Sequence, residues 1–207
     1  ELAPELAGLV AAYFDASGRF SGRVPEDFFR FADIAANRTD LHLGEDVLEY
    51  VHHLAAKAVH RLRAGQIRSQ ILASDGRLPG VKAKLYPYQI EGAAFLAGTG
   101  RALLADDMGL GKTLQAIAAA SWLREFEGVR RILIICPASL KHQWAREIDR
   151  FTGLAAQIIQ GPAAERGVQY RREAACHIIT YESVLRDVSV INESLCPDLI
   201  IMDEAQR

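Results

Sequence analysis

With 207 residues, half of them apolar, and a formal net charge of −2, the chain can bury the core of one or two domains but lacks the excess positive charge that holds a polyanion by bulk attraction. Its three cysteines, Cys136, Cys176 and Cys196, are odd in number, widely spaced and set in apolar surroundings; this argues against a disulfide framework or a zinc site and reads as buried thiols of a reducing compartment. No run approaches the ~20 apolar residues of a membrane span and no signal segment opens the chain, so no membrane association is expected, and the cytoplasm is favoured over the nucleus of a eukaryote.

Residues 1–80 read as a helical N-terminal region. In "PEDFFRFADIAAN", Pro25 followed by Glu26 and Asp27 suits a helix N-terminus. In "GEDVLEYVHHLAAKAVHRLRAG", Val47, Leu48, Val51, Leu54, Ala55, Ala58, Val59 and Leu62 recur at helical spacing ahead of Gly65. Charge changes sign near residue 57: ten acids face four arginines before it, whereas seven lysines and arginines face only Asp75 between residues 57 and 84. The basic stretch reads as a solvated helix face and linker, because no aromatic residues are interleaved for base stacking. His42, Glu45, Glu49 and His53 fall near one another on a helix, but without a cysteine or a tight ligand pair they read as surface residues, and no metal site is expected there.

From residue 85 the pattern changes. "RALLADD", "RRILIICP", "AAQIIQG", "CHIITYE" and "PDLIIMDE" are short apolar runs, most of them separated by stretches of helical character. Apolar strands alternating with helices predict a parallel sheet covered on both faces, a three-layer α/β domain over residues 81–207.

"RALLADDMGLGKTLQAIAAASWL" is where this domain meets chemistry: a predicted strand runs into a glycine-containing loop and then a long apolar helix. Gly109 and Gly111 let the backbone curl so that successive N–H groups face phosphate oxygens. Lys112 supplies a full charge to the β and γ phosphates, and Thr113 can hold Mg²⁺. The segment Met108, Gly109, Leu110, Gly111, Lys112 and Thr113 is thus the expected cofactor-binding loop. A strand-to-helix glycine turn that happens to end in Gly-Lys-Thr would look similar. The phosphate-loop pattern G-x-x-x-x-G-K-[ST] is met except at its first position, where Asp106 replaces glycine. "LIIMDEAQR" supplies a second half: an apolar strand delivers Asp203 and Glu204 to the carboxyl edge of the sheet, where ligands of open α/β sheets bind. Asp203 is suited to hold Mg²⁺ through water and Glu204 to polarise an attacking water, which makes Glu204 and Lys112 the candidate catalytic residues.

Taken together, "LYPYQIEGAAFL", "DDMGLGKTLQ", "ICPASLKHQWAREI", "ITYES" and "DEAQ" resemble, in order, five motifs of the Swi/Snf-type helicase-like ATPases, a branch of the superfamily-two helicases. The resemblance covers about residues 81–207 and corresponds to the first RecA-like lobe of those motors; residues 1–80 fall outside it. It implies that ATP and Mg²⁺ are the cofactors and that Gln89 reads the adenine edge. It also implies that Ser139, Lys141 and Thr180 lie against the backbone of double-stranded DNA, giving grip without sequence choice. Tyr86 departs from the family's Leu-Arg-Pro-Tyr-Gln pattern by replacing the arginine, and a tyrosine ring there is suited to pack on the base. Gln206 stands where related motors often have histidine. Trp144 and Ile148, one helical turn apart, read as core anchors rather than stacking platforms.

The same resemblance implies that arginine fingers come from a second lobe, worth ~10³ or more in rate. The missing starting Met and the stop just after "DLIIMDEAQR" raise the expectation of a piece of a longer protein, monomeric, binding ATP without efficient turnover by itself. The intact protein is expected to couple ATP hydrolysis to movement along duplex DNA and to displace bound protein, with residues 1–80 available to a protein partner. Two rivals stand beside this: an RNA helicase of the same superfamily, against which "DDMGLGKT" and "DEAQ" speak, and a nucleotide-gated binding module, against which intact Lys112, Asp203 and Glu204 speak.

Overall fold

The computed structural model describes residues 3–107 and 109–205. The chain divides into two compact units, Glu1–Leu62 and Arg63–Arg207.

The first unit is helical, with α1 (Pro4–Tyr13), α2 (Glu26–Ala36) and the opening turns of α3 (Glu45–Ala73). Pro25 stands directly before α2, and Glu26 and Asp27 fill its first turn, where negative charge meets unpaired N–H groups. The core of this unit is aromatic: Phe28, Phe31 and Val51 are buried against Tyr13, Phe14 and Phe20. Phe14 meets Phe20 and Phe31 edge to face, with ring centroids 5.6 and 5.2 Å apart. Such pairs add about 0.5–1.5 kcal/mol each beyond the burial of their area.

α3 runs on through Gly65. A glycine inside a helix costs about 1 kcal/mol. Ile67 and Ile71, each 2% exposed, are buried with Leu78, Ile90 and Trp122 in the core of the second unit. Fully burying one such side chain contributes about 1.5–3 kcal/mol, so the burial wins. The compact units divide at Leu62/Arg63, whereas the change of sequence pattern and the extent of the family resemblance place the boundary near residues 80 and 81.

The second unit adds α4 (Pro87–Thr99), α5 (Lys112–Glu127), β1 (Ile132–Ile135), α6 (Lys141–Phe151), β2 (Ala156–Ile158), α7 (Ala163–Gln169), β3 (Cys176–Ile179), α8 (Tyr181–Val190) and β4 (Leu199–Met202). The strands are parallel throughout, in the order β2-β3-β1-β4, with Ile132 opposite both Cys176 and Leu199. Side chains alternate between faces along a strand. Ile132, Ile134, Cys176 and Ile178 meet Ile117 and Ala120 of α5 and Trp144 and Ile148 of α6. Leu133, Ile135 and Ile179 meet Tyr170, Ile191 and Leu195 on the opposite face. Helices thus cover both faces of the sheet, the three-layer α/β architecture that the sequence predicts, and α4 packs on the outside of α5.

Three expectations are corrected. "RALLADD" forms no strand: residues 101–107 lie outside the sheet, and Leu103 is 77% exposed. Its apolar residues are alanine and leucine, without the β-branched side chains that suit a pleated surface, and it settles instead on α4 through Leu104. "PDLIIMDE" does form β4, but as an edge strand whose Ile200 and Met202 are about half exposed rather than covered on both faces. Cys136 and Cys176 are buried as expected, whereas Cys196 is exposed; it takes a left-handed conformation just past the helical turn Ile191–Leu195.

Two buried polar features lie in this unit. Arg166 of α7 donates through Nε and Nη2 to both oxygens of Asp187 on α8, each at 2.7 Å, and the Tyr170 hydroxyl adds a third bond at 2.8 Å. The Arg166 bonds hold the Asp187 carboxyl below the usual carboxylate range against the opposing effect of burial. His177, on β3, is 1% exposed. Neither ring nitrogen makes a well-formed hydrogen bond among the described residues, the Arg172 backbone being near enough only to oppose part of the shift. Burial therefore draws its pKa below the ordinary 6.5.

Two stability predictions come from this packing. At Gly98 of α4 an added Cβ would lie 2.8 Å from the backbone of Ala64, so Gly98→Ala should destabilise by about 1–3 kcal/mol, read as a lower urea midpoint; an unchanged midpoint would refute the close approach. Because folding favours neutral His177, its contribution is fully present above the unfolded pKa of 6.5 and is lost as pH falls from there through the lowered folded value. His177→Leu should shrink the loss in urea midpoint between pH 7.5 and pH 5.5, and an undiminished loss would assign that pH dependence elsewhere.

Candidate functional site

Two clusters of the second unit contain the residues singled out in the sequence. The first is the loop ahead of α5. Gly109 and Gly111 have φ of +85° and +73°, a left-handed backbone that glycine adopts without steric cost. Among the described residues, chain neighbours aside, nothing lies within 4 Å of a Cβ built on Gly109. Lys112, the first residue of α5, turns its ammonium back onto the loop and donates to the carbonyls of Asp106 and Asp107, both at 2.9 Å. Thr113, the next residue, is half-buried, and Leu110 is exposed. Met108 lies outside the described residues, as does Gln206.

Asp106 has a structural partner that explains why an acid can stand where other phosphate loops carry glycine. Its Oδ2 accepts from Nε2 of Gln115 at 3.1 Å, and the same amide nitrogen donates to the Leu110 carbonyl at 3.2 Å. Gln115 is fully buried, set in the apolar run from Leu114 to Ala120, and so ties the beginning of the loop to its end. Its Oε1 rests against Gly92 of α4, where an added Cβ would sit 1.7 Å away. Sequence reasoning passed over both residues; the available signal was a lone glutamine in the apolar run "LQAIAAA".

Gln89 stands on the other side of this arrangement. It is 5% exposed, and its Oε1 accepts from the Tyr86 N–H at 3.1 Å, closing the first turn of α4. Its Nε2 lies 2.8 Å from where a Cβ would be on Gly111, so the loop glycine is needed for contact as well as for φ. Tyr86 and Tyr88 expose a stacked pair of rings, 5.9 Å between centroids and 7° from parallel. An open groove between α4 and the loop is lined by Tyr88, Glu91, Gly92, Phe95 and Asp106.

The second cluster occupies the carboxyl ends of β3, β1 and β4. Cys136 N–H donates to the Ile179 carbonyl at 3.0 Å and Asp203 N–H to the Ile135 carbonyl at 2.9 Å, so the ladders run one residue past the strands and set Thr180, Cys136 and Asp203 side by side. Glu204 follows at φ +54°, an uncommon conformation for a residue with a side chain. Ser139 is exposed in the short turn Ala138–Leu140, and Lys141 is half-buried at the start of α6. Thr180 is 8% exposed, and its Oγ1 accepts from the Ser183 N–H at 3.3 Å, so this hydroxyl caps α8.

Two further side chains hold Asp203. The Trp144 indole N–H donates to its Oδ2 at 2.8 Å, and the Tyr181 hydroxyl donates to its main-chain carbonyl at 2.8 Å. Trp144 is the buried core residue that its spacing predicts, and in addition it touches the candidate metal acid. Burial and the nearby Asp203 push the Tyr181 pKa up, and the same two influences raise Cys136 to about 11. Among the described residues no hydrogen bond or ion pair joins Lys112 or Thr113 to Asp203.

Residues 88–207 match the SNF2-related domain. The ISWI chromatin-remodeling complex ATPase ISW1 of Saccharomyces cerevisiae is 37% identical over 138 residues, 61% of this chain and 12% of that protein. The DNA excision repair protein ERCC-6-like of Bos taurus is 34% identical over 138 residues, 60% of this chain and 11% of that protein. The solved Sulfolobus solfataricus SWI2/SNF2 ATPase core in complex with dsDNA superposes with a TM-score of 0.52 at 34% identity, covering 61% of this chain and 27% of that one. The chain thus spans a small part of each relative's length. The glycine loop, the strand-end turns and the acid pair all fall inside the matched residues, and the chain belongs to the SNF2-related family.

Proposed function

We propose that the chain carries the first nucleotide-binding lobe of an ATP-dependent double-stranded DNA translocase that displaces or remodels bound protein. The observation that supports this most is the left-handed glycine loop ending in Lys112 and Thr113, in one compact unit with an acid pair at the carboxyl edge of a parallel sheet. The loop suits a polyphosphate: among the described residues Lys112 donates to two neutral carbonyls, and an ionised phosphate oxygen is a stronger acceptor than either. The donor set of a threonine hydroxyl and a carboxylate is hard oxygen, which fits Mg²⁺.

In this reading the loop N–H groups from Gly109 to Thr113 cradle the phosphates and Lys112 draws off negative charge. Thr113 and Asp203 hold the Mg²⁺, which when bound neutralises charge on the β and γ oxygens. Glu204 orients and polarises the attacking water. Gln89 stands at the adenine end, and the exposed Tyr86 ring is available to the base. Ser139 and Lys141 face the DNA backbone with their turn; Thr180, whose hydroxyl is used as a cap, places the backbone of its turn beside them. These 207 residues supply one lobe, so the polypeptide by itself should bind Mg-ATP and turn it over at least ~10³ more slowly than a protein with both lobes.

The test is ATP turnover by the complete protein. Duplex DNA should stimulate it; stimulation by RNA alone would move the assignment to the RNA helicases, and the absence of any turnover to a binding module. Glu204→Gln should retain Mg-ATP and reduce turnover by ~10² or more, whereas Lys112→Ala should lose nucleotide affinity. Gln115→Ala removes the tie between Asp106 and Leu110 without touching the nucleotide, and should weaken ATP binding about tenfold through disorder of the loop. Unchanged affinity in that variant would show that the loop holds its shape unaided.

A further inference from the structure

We propose that Trp144 and Tyr181 are positioning residues that tie the turns after β1 and β3 to the carboxylate at residue 203, so that a ligand on those turns alters how Mg-nucleotide is held. The inference rests on the reading of Asp203 as the metal acid and of the two turns as the face toward DNA.

The geometry is specific. Trp144 lies three residues after Lys141, within the first turn of α6, and its ring is 3% exposed. Packing alone would satisfy an apolar ring at that position. This one has a single donor, and it is spent on Oδ2 of Asp203, fifty-nine residues away in sequence. Tyr181 follows Thr180 directly and reaches the same residue through its main-chain carbonyl. Asp203 is therefore held at its side chain from the start of α6, just past the turn after β1, and at its backbone from the start of α8, just past β3.

That double hold matters because β4 is an edge strand. One side is fixed by the ladder to β1, and among the described residues no strand pairs with the other. Each ring spends its donor on residue 203, Trp144 at the carboxylate and Tyr181 at the main-chain carbonyl, so both segments bear on where that residue sits. With Oδ2 engaged by the indole, the carboxylate that would hold the metal is oriented by Trp144. Side chains that orient metal ligands in this way typically alter metal affinity by ~10- to 100-fold when removed.

The experiment uses the complete protein with Trp144→Phe and Tyr181→Phe, each of which keeps a ring and deletes the donor. Binding of a fluorescent ATP analogue is titrated with Mg²⁺, with and without duplex DNA, alongside a urea midpoint for each variant. The expected result is a rise of about tenfold in the Mg²⁺ needed for half-maximal binding, and a loss of the change that DNA produces in the parent. In an Asp203→Ala background, Trp144→Phe should have no further effect, because the acceptor of the bond it removes is already gone. A merely structural role would lower the urea midpoint and leave Mg²⁺ dependence and DNA response unchanged. That outcome in Tyr181→Phe, or an equal effect of Trp144→Phe in both backgrounds, overturns the proposal. If the parent protein itself shows no Mg²⁺-dependent binding or no DNA effect, the reading of the site fails first and takes this inference with it.

Discussion

The parallel ladder through β1 is the constraint on which the second cluster depends. β1 is four consecutive buried aliphatic residues, and it pairs with β3 on one side and β4 on the other in a register that makes Ile135 the neighbour of both Ile179 and Met202. A slip of one residue would send Ile132 and Ile134 to the opposite face of the sheet. It would also separate the three positions that follow the strands. Burial on both faces thus does two jobs: it selects the register, and the register sets Thr180, Cys136 and Asp203 level with one another.

The loop ahead of α5 is held differently. No strand leads into it, so its shape comes from side chains and from close approaches that only glycine permits. Gln115 occupies the space against Gly92 and grips Asp106, while Gln89 occupies the space against Gly111. Each glutamine is buried and each glycine makes room for one amide. α4 contributes one member to both pairs, which joins the helix bearing the candidate adenine residue to the candidate phosphate loop without any direct ladder between them. A third close approach, Gly98 against Ala64, sets the distance of the same helix from α3.

Much of this was legible in the residue pattern, and the failures have physical causes. β1 and β3 were visible because aliphatic runs with β-branched residues, separated by helices, have few other folds available to them. The loop was visible because phosphate chemistry demands glycine, lysine and a hydroxyl in fixed order. "RALLADD" misled because apolar content was read as strand content, although alanine and leucine carry little preference for a pleated surface. Gly65 marks no helix end, because local propensity is small beside the burial of Ile67 and Ile71, whose partners are distant in sequence. Trp144 was placed correctly in the core, but its bond to Asp203 was beyond reach, since periodicity reports which face a side chain is on and nothing about where its one donor points. Gln115 and Thr180 were obscured for the same reason: the roles of both are fixed by long-range or capping partners.

Asp106 shows why a departure from a motif should be read together with its neighbours. In a generic phosphate loop a glycine at the first position lets the chain turn with no further requirement. An acid there must have its carboxylate oxygens satisfied, and a buried glutamine must satisfy its amide. Nine positions apart, Gln115 Nε2 and Asp106 Oδ2 meet each other's need, while Gln115 Oε1 has no hydrogen-bond partner among the described residues. The pair also spans the curl, so it fixes the spacing between Asp106 and Leu110 that glycine would leave free. An acid at this position therefore gives a tethered entry where glycine would leave a flexible one, and the glutamine that tethers it needs the room that Gly92 leaves on the adjacent helix.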